Sequence, residues 1–318
     1  MSDAPQDRRP ERICIVGCGA IGGLYAAQLA MLPDVEVWAF DAAAEHVAAI
    51  SRDGLRLTGR LERTVAVNAR SDPSEIPPCS LGIVATKGTA TARAIAAAAA
   101  VLAGGAVCSV QNGIGNEELI ATRVPRVIRG VTLESGGIEG PGVIHVDAAG
   151  PTWLGPFEPS PAAPAEIERL GELLNRAGME TRVLPDVRGA QWTKLIFNAA
   201  TNPLCALTGL THGALWSHPP TARVVSALID EGRAVADALG IQLDEDPAEL
   251  NERAARRNPD HRPSMLQDVA GRRATEIGTL NGGIVDAGRG AGVPTPLNAA
   301  VADLIRGLEH SWSGSPGA

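Results

Sequence analysis

A six-residue turn, Gly17-Cys18-Gly19-Ala20-Ile21-Gly22, follows directly on the apolar run Arg12-Ile13-Cys14-Ile15-Val16, and it constrains the chain more than any other stretch. Such a run reads as a strand buried on both faces of a parallel sheet. Three glycines at this spacing let the chain turn tightly at Gly17, bring backbone close to a pyrophosphate at Gly19, and pack helix on strand at Gly22. The helix that follows would aim its free N–H groups, those of Ala20 and Ile21 among them, at the phosphates. A glycine hexapeptide alone recurs by chance. One that leaves a strand and opens a helix is the dinucleotide fingerprint. A turn that merely packs a helix is the competing account.

Strand and helix patterns then alternate. Residues 35–40 read as a second strand, with helices over 24–31 and 42–52. Strands are expected over 81–85 and 106–110 with a helix over 90–102, and segments 127–131, 143–146 and 152–154 continue the sheet before a helix over 163–177. Leu55-Arg56-Leu57 and Val65-Ala66-Val67 alternate like a small hairpin. This order predicts an α/β fold with a doubly wound, Rossmann-type N-terminal half. Beyond about Leu184 no strand pattern remains, and long helices are expected over 187–207, 221–239, 264–288 and 296–308. Pro203 should kink or break the first of these, and Ser264 with Gln267 fits a capping box. The expected domains are a disordered leader 1–11, a dinucleotide-binding Rossmann domain 12–185, an all-helical substrate and catalytic domain 186–311 and a mobile tail 312–318. A cleft between two such domains is a common ligand site.

Composition closes off other classes. A net charge of −8 and 3% aromatic residues argue against nucleic acid, which needs clustered Lys and Arg or aromatic stacking surfaces. The most apolar run, 94–107, is too short to span a membrane. The polar N-terminus lacks the apolar segment of a signal peptide. Five scattered cysteines form neither a metal-type pair nor an even set, as expected of buried thiols in a reducing cytoplasm.

Asp41 ends the second strand. A carboxylate there accepts hydrogen bonds from both adenosine ribose hydroxyls and repels a 2′-phosphate, and residues 40 and 42–44 supply no cation to offset it. NAD(H) is therefore expected over NADP(H). The plainer alternative is that Asp41 caps the next helix. Lys194, Asn198 and Asn202, spaced i, i+4, i+8, share one face of a largely apolar helix. Buried amides and ammonium groups are unfavourable unless paired. A lysine in a dry cleft has its pKa pulled towards the working pH and so exchanges protons. A structural polar network, or a lysine whose head reaches water, is the other reading. Glu276 falls at apolar helix spacing and points inward, or pairs at the surface with Arg272 or Arg273. Ser264 is an N-cap that is also free to touch a substrate.

Taken in order, Gly17-x-Gly19-x-x-Gly22, Thr86-Lys87, Gln111-Asn112-Gly113, Lys194-x3-Asn198-x3-Asn202-Pro203-Leu204, Ser264-Met265-Leu266-Gln267-Asp268, Thr275-Glu276-Ile277 and Asn281-Gly282 resemble the ketopantoate reductase (2-dehydropantoate 2-reductase) family over almost the whole chain. The resemblance implies a nicotinamide-dependent oxidoreductase of pantothenate biosynthesis that delivers hydride to the C2 carbonyl of a 2-keto acid. It implies that Lys194 is the catalytic lysine, donating the proton, and Glu276 the acidic residue beside it. Asn198, Asn202 and Ser264 match substrate-holding positions, and Lys87 and Asn112 match cofactor-side positions.

Two departures stand out. Many relatives have a basic residue near Asp41 and prefer NADPH. His212-Gly213 stands where an Asn-Gly pair is expected at the pocket edge. His212 would bond substrate, mark a different 2-keto acid, or simply start a helix. Two other functions compete: a family relative acting on another 2-keto or 2-hydroxy acid, in the oxidative direction if catabolic, and a non-catalytic dinucleotide sensor. The filled lysine and carboxylate positions count against the sensor. The oligomeric state is not legible in the sequence, though apolar helical faces would allow a homodimer.

Overall fold

A computed structural model describes residues 10–313. The expected leader, up to residue 9, and the expected tail, from 314 on, lie outside the described residues. Glu11 is part of the first strand and the last helix runs to Ser313, so residue 11 and residues 312–313, expected in the leader and the tail, belong to regular elements. The described residues form two compact units. One runs to Gln111 and resumes from Glu117 to Val187; the other comprises Asn112–Asn116 and the chain from Arg188 onward. Sequence patterning gave one contiguous boundary, and nothing in composition marks the short excursion at 112.

The first unit contains strands β1 (Glu11–Val16), β2 (Val35–Phe40), β3 (Leu55–Gly59), β4 (Arg63–Val65), β5 (Asn68–Arg70), β6 (Leu81–Val84), β7 (Ala106–Ser109), β8 (Val127–Thr132), β9 (Ser135–Gly140), β10 (Val143–Ala148), β11 (Thr152–Pro156) and β12 (Thr181–Val183). Its helices are α1 (Ala20–Leu29), α2 (Ala44–Asp53), α3 (Thr91–Leu102), α4 (Asn116–Ala121, its first residue counted with the other unit) and α5 (Pro164–Arg176). The main sheet has the order β12-β11-β8-β7-β6-β1-β2-β5 and is parallel except at the antiparallel β11–β8 pair.

Alternation along β1 explains both layers. Ile13 and Ile15 join a core with Leu24 and Tyr25 of α1 and Leu170 and Leu173 of α5. Cys14 and Val16 face the opposite core, with Ile95, Val101 and Leu102 of α3. Each fully buried aliphatic side chain contributes about 1.5–3 kcal/mol to this arrangement. The chain winds outward from β1 to β2 on one side and to β6 on the other. The strand order therefore reverses where Gly17 begins, the position at which open α/β sheets bind ligands.

Segment 143–146 does not extend this sheet. It lies in a second sheet of order β4-β3-β10-β9 that packs on α1. Gly23 permits the approach, since a Cβ there would lie 2.9 Å from Ile144 Cγ1. β9, Ser-Gly-Gly-Ile-Glu-Gly, escaped sequence reading because its composition has little strand preference.

The second unit is helical, with no strand among its described residues: α6 (Arg188–Thr208), α7 (His212–Ser217), α8 (Pro219–Ala238), α9 (Pro247–Arg257), α10 (Ser264–Ala270), α11 (Asn281–Ala291) and α12 (Pro296–Ser313). Leu195, Ile196 and Ala199 of α6 pack with Leu228, Leu266, Ile284 and Ile305. Three expectations need correction. The helix expected over 264–288 is interrupted, because Gly271 ends α10 and Arg272 adopts φ +48°, so 271–280 is non-helical. Ser264 is the first helical residue after Pro263, with no side-chain cap, and Gln267 Nε2 instead donates to Arg262 O at 2.9 Å. Finally, of the kink or break expected at Pro203, the break does not occur: α6 continues to Thr208.

Candidate active site

The glycine turn assigns each glycine a separate task. Gly17 has φ +89°, and a Cβ on it would lie 2.6 Å from Thr86 Cγ2. A Cβ on Gly22 would lie 1.8 Å from Gly17 O, so α1 can start here only if that position is bare. Gly19 is different: only Ile138 Cδ1, at 3.8 Å, comes within reach of its virtual Cβ. No side chain caps α1 at Gly19. The N–H groups of Ala20 and Ile21 therefore lack intrahelical acceptors. Bare backbone, open space and unsatisfied donors fit a pyrophosphate.

Asp41 holds this turn as well as facing the space beside it. Its Oδ2 accepts from Cys18 N–H and its Oδ1 from Ala43 N–H, both at 2.8 Å. The structural role weighed for Asp41 is thus present, although Ala43 rather than Asp41 is the N-cap of α2. A carboxylate has about four acceptor sites, which leaves capacity for ribose hydroxyls. Next to the turn is a cavity of about 340 Å³ whose lining includes Gly19, Asp41, Glu45, His46, Ile138 and Glu139, and neither Lys nor Arg.

His46 escaped sequence reading, since its partners are 28 and 96 residues away. Its Nδ1 accepts from Gly142 N–H at 3.0 Å, so the proton sits on Nε2, which donates to Cys18 O at 2.9 Å. The ring pins the glycine turn to the β9–β10 turn. Gln111 Nε2 lies 2.9 Å from Thr86 O and 2.7 Å from Thr91 Oγ1, tying together the loops after β7 and β6. Lys87 follows Thr86, exposed, at the start of a short 3-10 turn.

In the helical unit, Lys194, Asn198 and Asn202 do share one face of α6. Burial pulls the Lys194 ammonium down to about 8, against the opposing influence of the Glu276 carboxylate. Glu276 sits in a turn, not a helix: its carbonyl accepts from Thr279 and Leu280 N–H, both at 3.1 Å. Arg273, weighed as its surface partner, pairs with Asp268 at 3.2 Å. Asn112 Nδ2 donates to Glu276 Oε2 at 3.1 Å.

That contact explains why 112–116 belongs with this unit. Gly113, at φ +85°, lies against the Glu276 turn so closely that a Cβ would be 2.3 Å from Thr279 O. Ile114 N–H also donates to Thr279 O at 3.0 Å. Asn202 is 6% exposed, and no side-chain hydrogen bond joins Asn198 or Asn202 to another described residue. Ser264 is exposed at the start of α10, which packs on α6. His212 is buried, with its pKa lowered by burial, 3.2 Å from Asn251 Oδ1 and edge-on to Phe197. An ammonium beside a carboxylate, with two open amides on the same helix, is suited to hold a small oxyacid and exchange a proton with it.

A dinucleotide-type turn in one unit and a lysine of lowered pKa beside a carboxylate in the other are the equipment of a nicotinamide-dependent oxidoreductase. Residues 13–159 match the family described as Ketopantoate reductase PanE/ApbA, and residues 186–309 match Ketopantoate reductase PanE/ApbA C terminal. The chain belongs to the ketopantoate reductase family. The 2-dehydropantoate 2-reductase of Archaeoglobus fulgidus is 32% identical over 301 residues, covering 95% of this chain and 99% of the relative. That of Halobacterium salinarum is 31% identical over 299 residues, 93% and 98% of the two chains. Among solved structures, a PanE/ApbA family ketopantoate reductase from Ralstonia eutropha superposes with TM-score 0.87 at 32% identity, covering 95% of this chain and 99% of its own. A D-mandelate dehydrogenase with NADH and anilino(oxo)acetate gives TM-score 0.88 at 25% identity, with the same coverage.

Proposed function

We propose that the protein reduces 2-dehydropantoate to pantoate with NADH, Lys194 supplying the proton to the new hydroxyl. The observation that carries this reading is Lys194 itself, at about 8, beside Glu276 and on the face of Asn198 and Asn202. A bound nicotinamide supplies the hydride. In the first unit, Gly17, Gly19 and Gly22 with the N–H groups of Ala20 and Ile21 hold the pyrophosphate, and Asp41 takes the ribose hydroxyls. Lys87 and Asn112 occupy cofactor-side positions by their place in the family motifs.

In the second unit, Lys194 hydrogen-bonds the substrate carbonyl and transfers its proton as negative charge develops on oxygen. Its charge stabilises that alkoxide by on the order of 3 kcal/mol. Glu276, oriented by Asn112, keeps the ammonium in place. Asn198, Asn202 and Ser264 hold the hydroxyl and carboxylate ends. The sign of the pH dependence follows. The donor must be protonated, so reductive kcat should be flat below about pH 8 and fall roughly tenfold per unit above it. A rate that rises with pH through this range, measured at saturating NADH, would remove Lys194 as the acid.

NADH is favoured because Asp41, Glu45 and Glu139 line the cavity at the glycine turn and no Lys or Arg does, so a 2′-phosphate would meet only negative charge. The D-mandelate dehydrogenase likeness supports a second reading, an NAD-dependent enzyme for another 2-keto or 2-hydroxy acid. One kinetic grid separates them: 2-dehydropantoate and a panel of alkyl and aryl 2-keto acids, each with NADH and NADPH. The highest kcat/KM is expected for 2-dehydropantoate with NADH. A better aryl 2-keto acid would establish the second reading, and better use of NADPH would overturn the cofactor assignment. The five cysteines, all buried free thiols, are consistent with a cytoplasmic enzyme. A homodimer is the assembly to test by light scattering.

A further inference from the structure

Pro203 leaves a gap in α6. Its nitrogen carries no hydrogen, so the Ala199 carbonyl, four residues back, receives no main-chain bond from it. The missing donor comes from another helix. Asn281 Nδ2, at the start of α11, donates to Ala199 O at 2.9 Å and to Asn298 Oδ1 at 3.0 Å. Both asparagines are fully buried.

The surrounding bonds fix which way each amide faces. Asn298 Nδ2 donates to Glu231 Oε2 at 2.8 Å, and the Asn298 and Leu297 N–H groups donate to the same carboxylate at 2.9 and 2.8 Å. Asn298 therefore turns its oxygen to Asn281, and Asn281 must turn its nitrogen to two acceptors. Its own Oδ1 is left without a hydrogen-bond partner among the described residues. An unpaired buried acceptor is unfavourable, so this orientation is one the neighbours enforce.

The position of the gap matters for the substrate face. Ala199 directly follows Asn198, and Pro203 directly follows Asn202. Asn281 also comes straight after the turn that carries Glu276, so one bond ties that turn to α6. We infer that Asn281 is a positioning residue: it replaces the bond Pro203 cannot make and so holds Asn198 and Asn202 at the spacing the 2-keto acid needs. This rests on the reading of those two asparagines as substrate-holding residues.

The test is a rescue. Pro203→Ala returns an N–H to the Ala199 carbonyl and makes the Asn281 donor redundant. Using the 2-keto acid best turned over in the grid above, Asn281→Ala should raise KM about tenfold, the equivalent of one buried hydrogen bond. The NADH dissociation constant, read by fluorescence, should stay within about twofold. In the double variant, KM should return to within about threefold of Pro203→Ala alone. An unchanged KM in Asn281→Ala overturns the inference, as does a double variant no better than Asn281→Ala. Should Asn281→Ala fail to fold, the double variant decides: folding with restored KM supports the inference, and failure to fold overturns it. Asn198→Ala and Asn202→Ala separate the two levels. Unchanged KM in both overturns the substrate reading and this inference together. Raised KM there, with none in Asn281→Ala, overturns this inference alone.

Discussion

Replacing Lys194 by Ala is expected to lower kcat for 2-keto acid reduction by at least ~10²-fold, the scale of a lost general acid, while NADH still binds. The glycine turn and Asp41 belong to the other unit and keep all their own contacts. Glu276 keeps its bond from Asn112, so its carboxylate is not stranded. Lys194→Arg sharpens the test. Arginine preserves the positive charge but holds its proton far too tightly to release it near neutrality. If Lys194 acted only as a fixed charge, Arg would recover much of the rate. If it transfers a proton, Arg should remain slow by ~10²-fold or more. Single-turnover rates at saturating NADH, with circular dichroism to verify folding, decide the matter. Turnover of Lys194→Ala within about threefold of the native enzyme would end the assignment.

Gly22→Ala and Gly19→Ala should fail in different ways. At Gly22 the new methyl would sit 1.8 Å from a main-chain oxygen, which cannot swing aside as a side-chain end can. α1 must then lift from β1, at about 3 kcal/mol or more, and the melting temperature should fall by about 5–10 °C. At Gly19 the methyl meets only Ile138 at 3.8 Å, so the fold should be untouched. The methyl instead occupies the space where a pyrophosphate approaches. NADH affinity should drop about 10- to 100-fold, the loss of one or two charge-assisted hydrogen bonds, with no change in melting temperature. Normal NADH binding by Gly19→Ala would show that the turn does not cradle phosphate.

Much of this was legible because it rests on periodicity and local chemistry. β1 alternates between two cores, and the turn after it needs bare positions within six residues. The Lys194 face follows from helical spacing alone. The failures share a different cause: a distant group overrode a local rule. Pro203 was expected to kink or break α6, yet the helix runs on to Thr208, and a side chain 78 residues later in sequence bonds Ala199 O in place of the missing N–H. The 264–288 pattern reads as one helix because Glu276 and its neighbours fall at helical spacing. Arg272 at φ +48° turns the chain out of that path. His46 carries no local mark, since both of its partners come from elsewhere in the fold.

The small excursion at 112–116 bears on how these enzymes could be recombined. The chain passes from one unit to the other at 111/112, back at 116/117, and across again at 187/188. Splicing in a foreign nucleotide domain at residue 187 to change coenzyme would discard Asn112, and with it the amide that orients Glu276. A working chimaera must carry the native 112–116 peptide inside the foreign domain. The two halves are thus not interchangeable cassettes, and the geometry around Glu276 is inherited from two separate stretches of the gene.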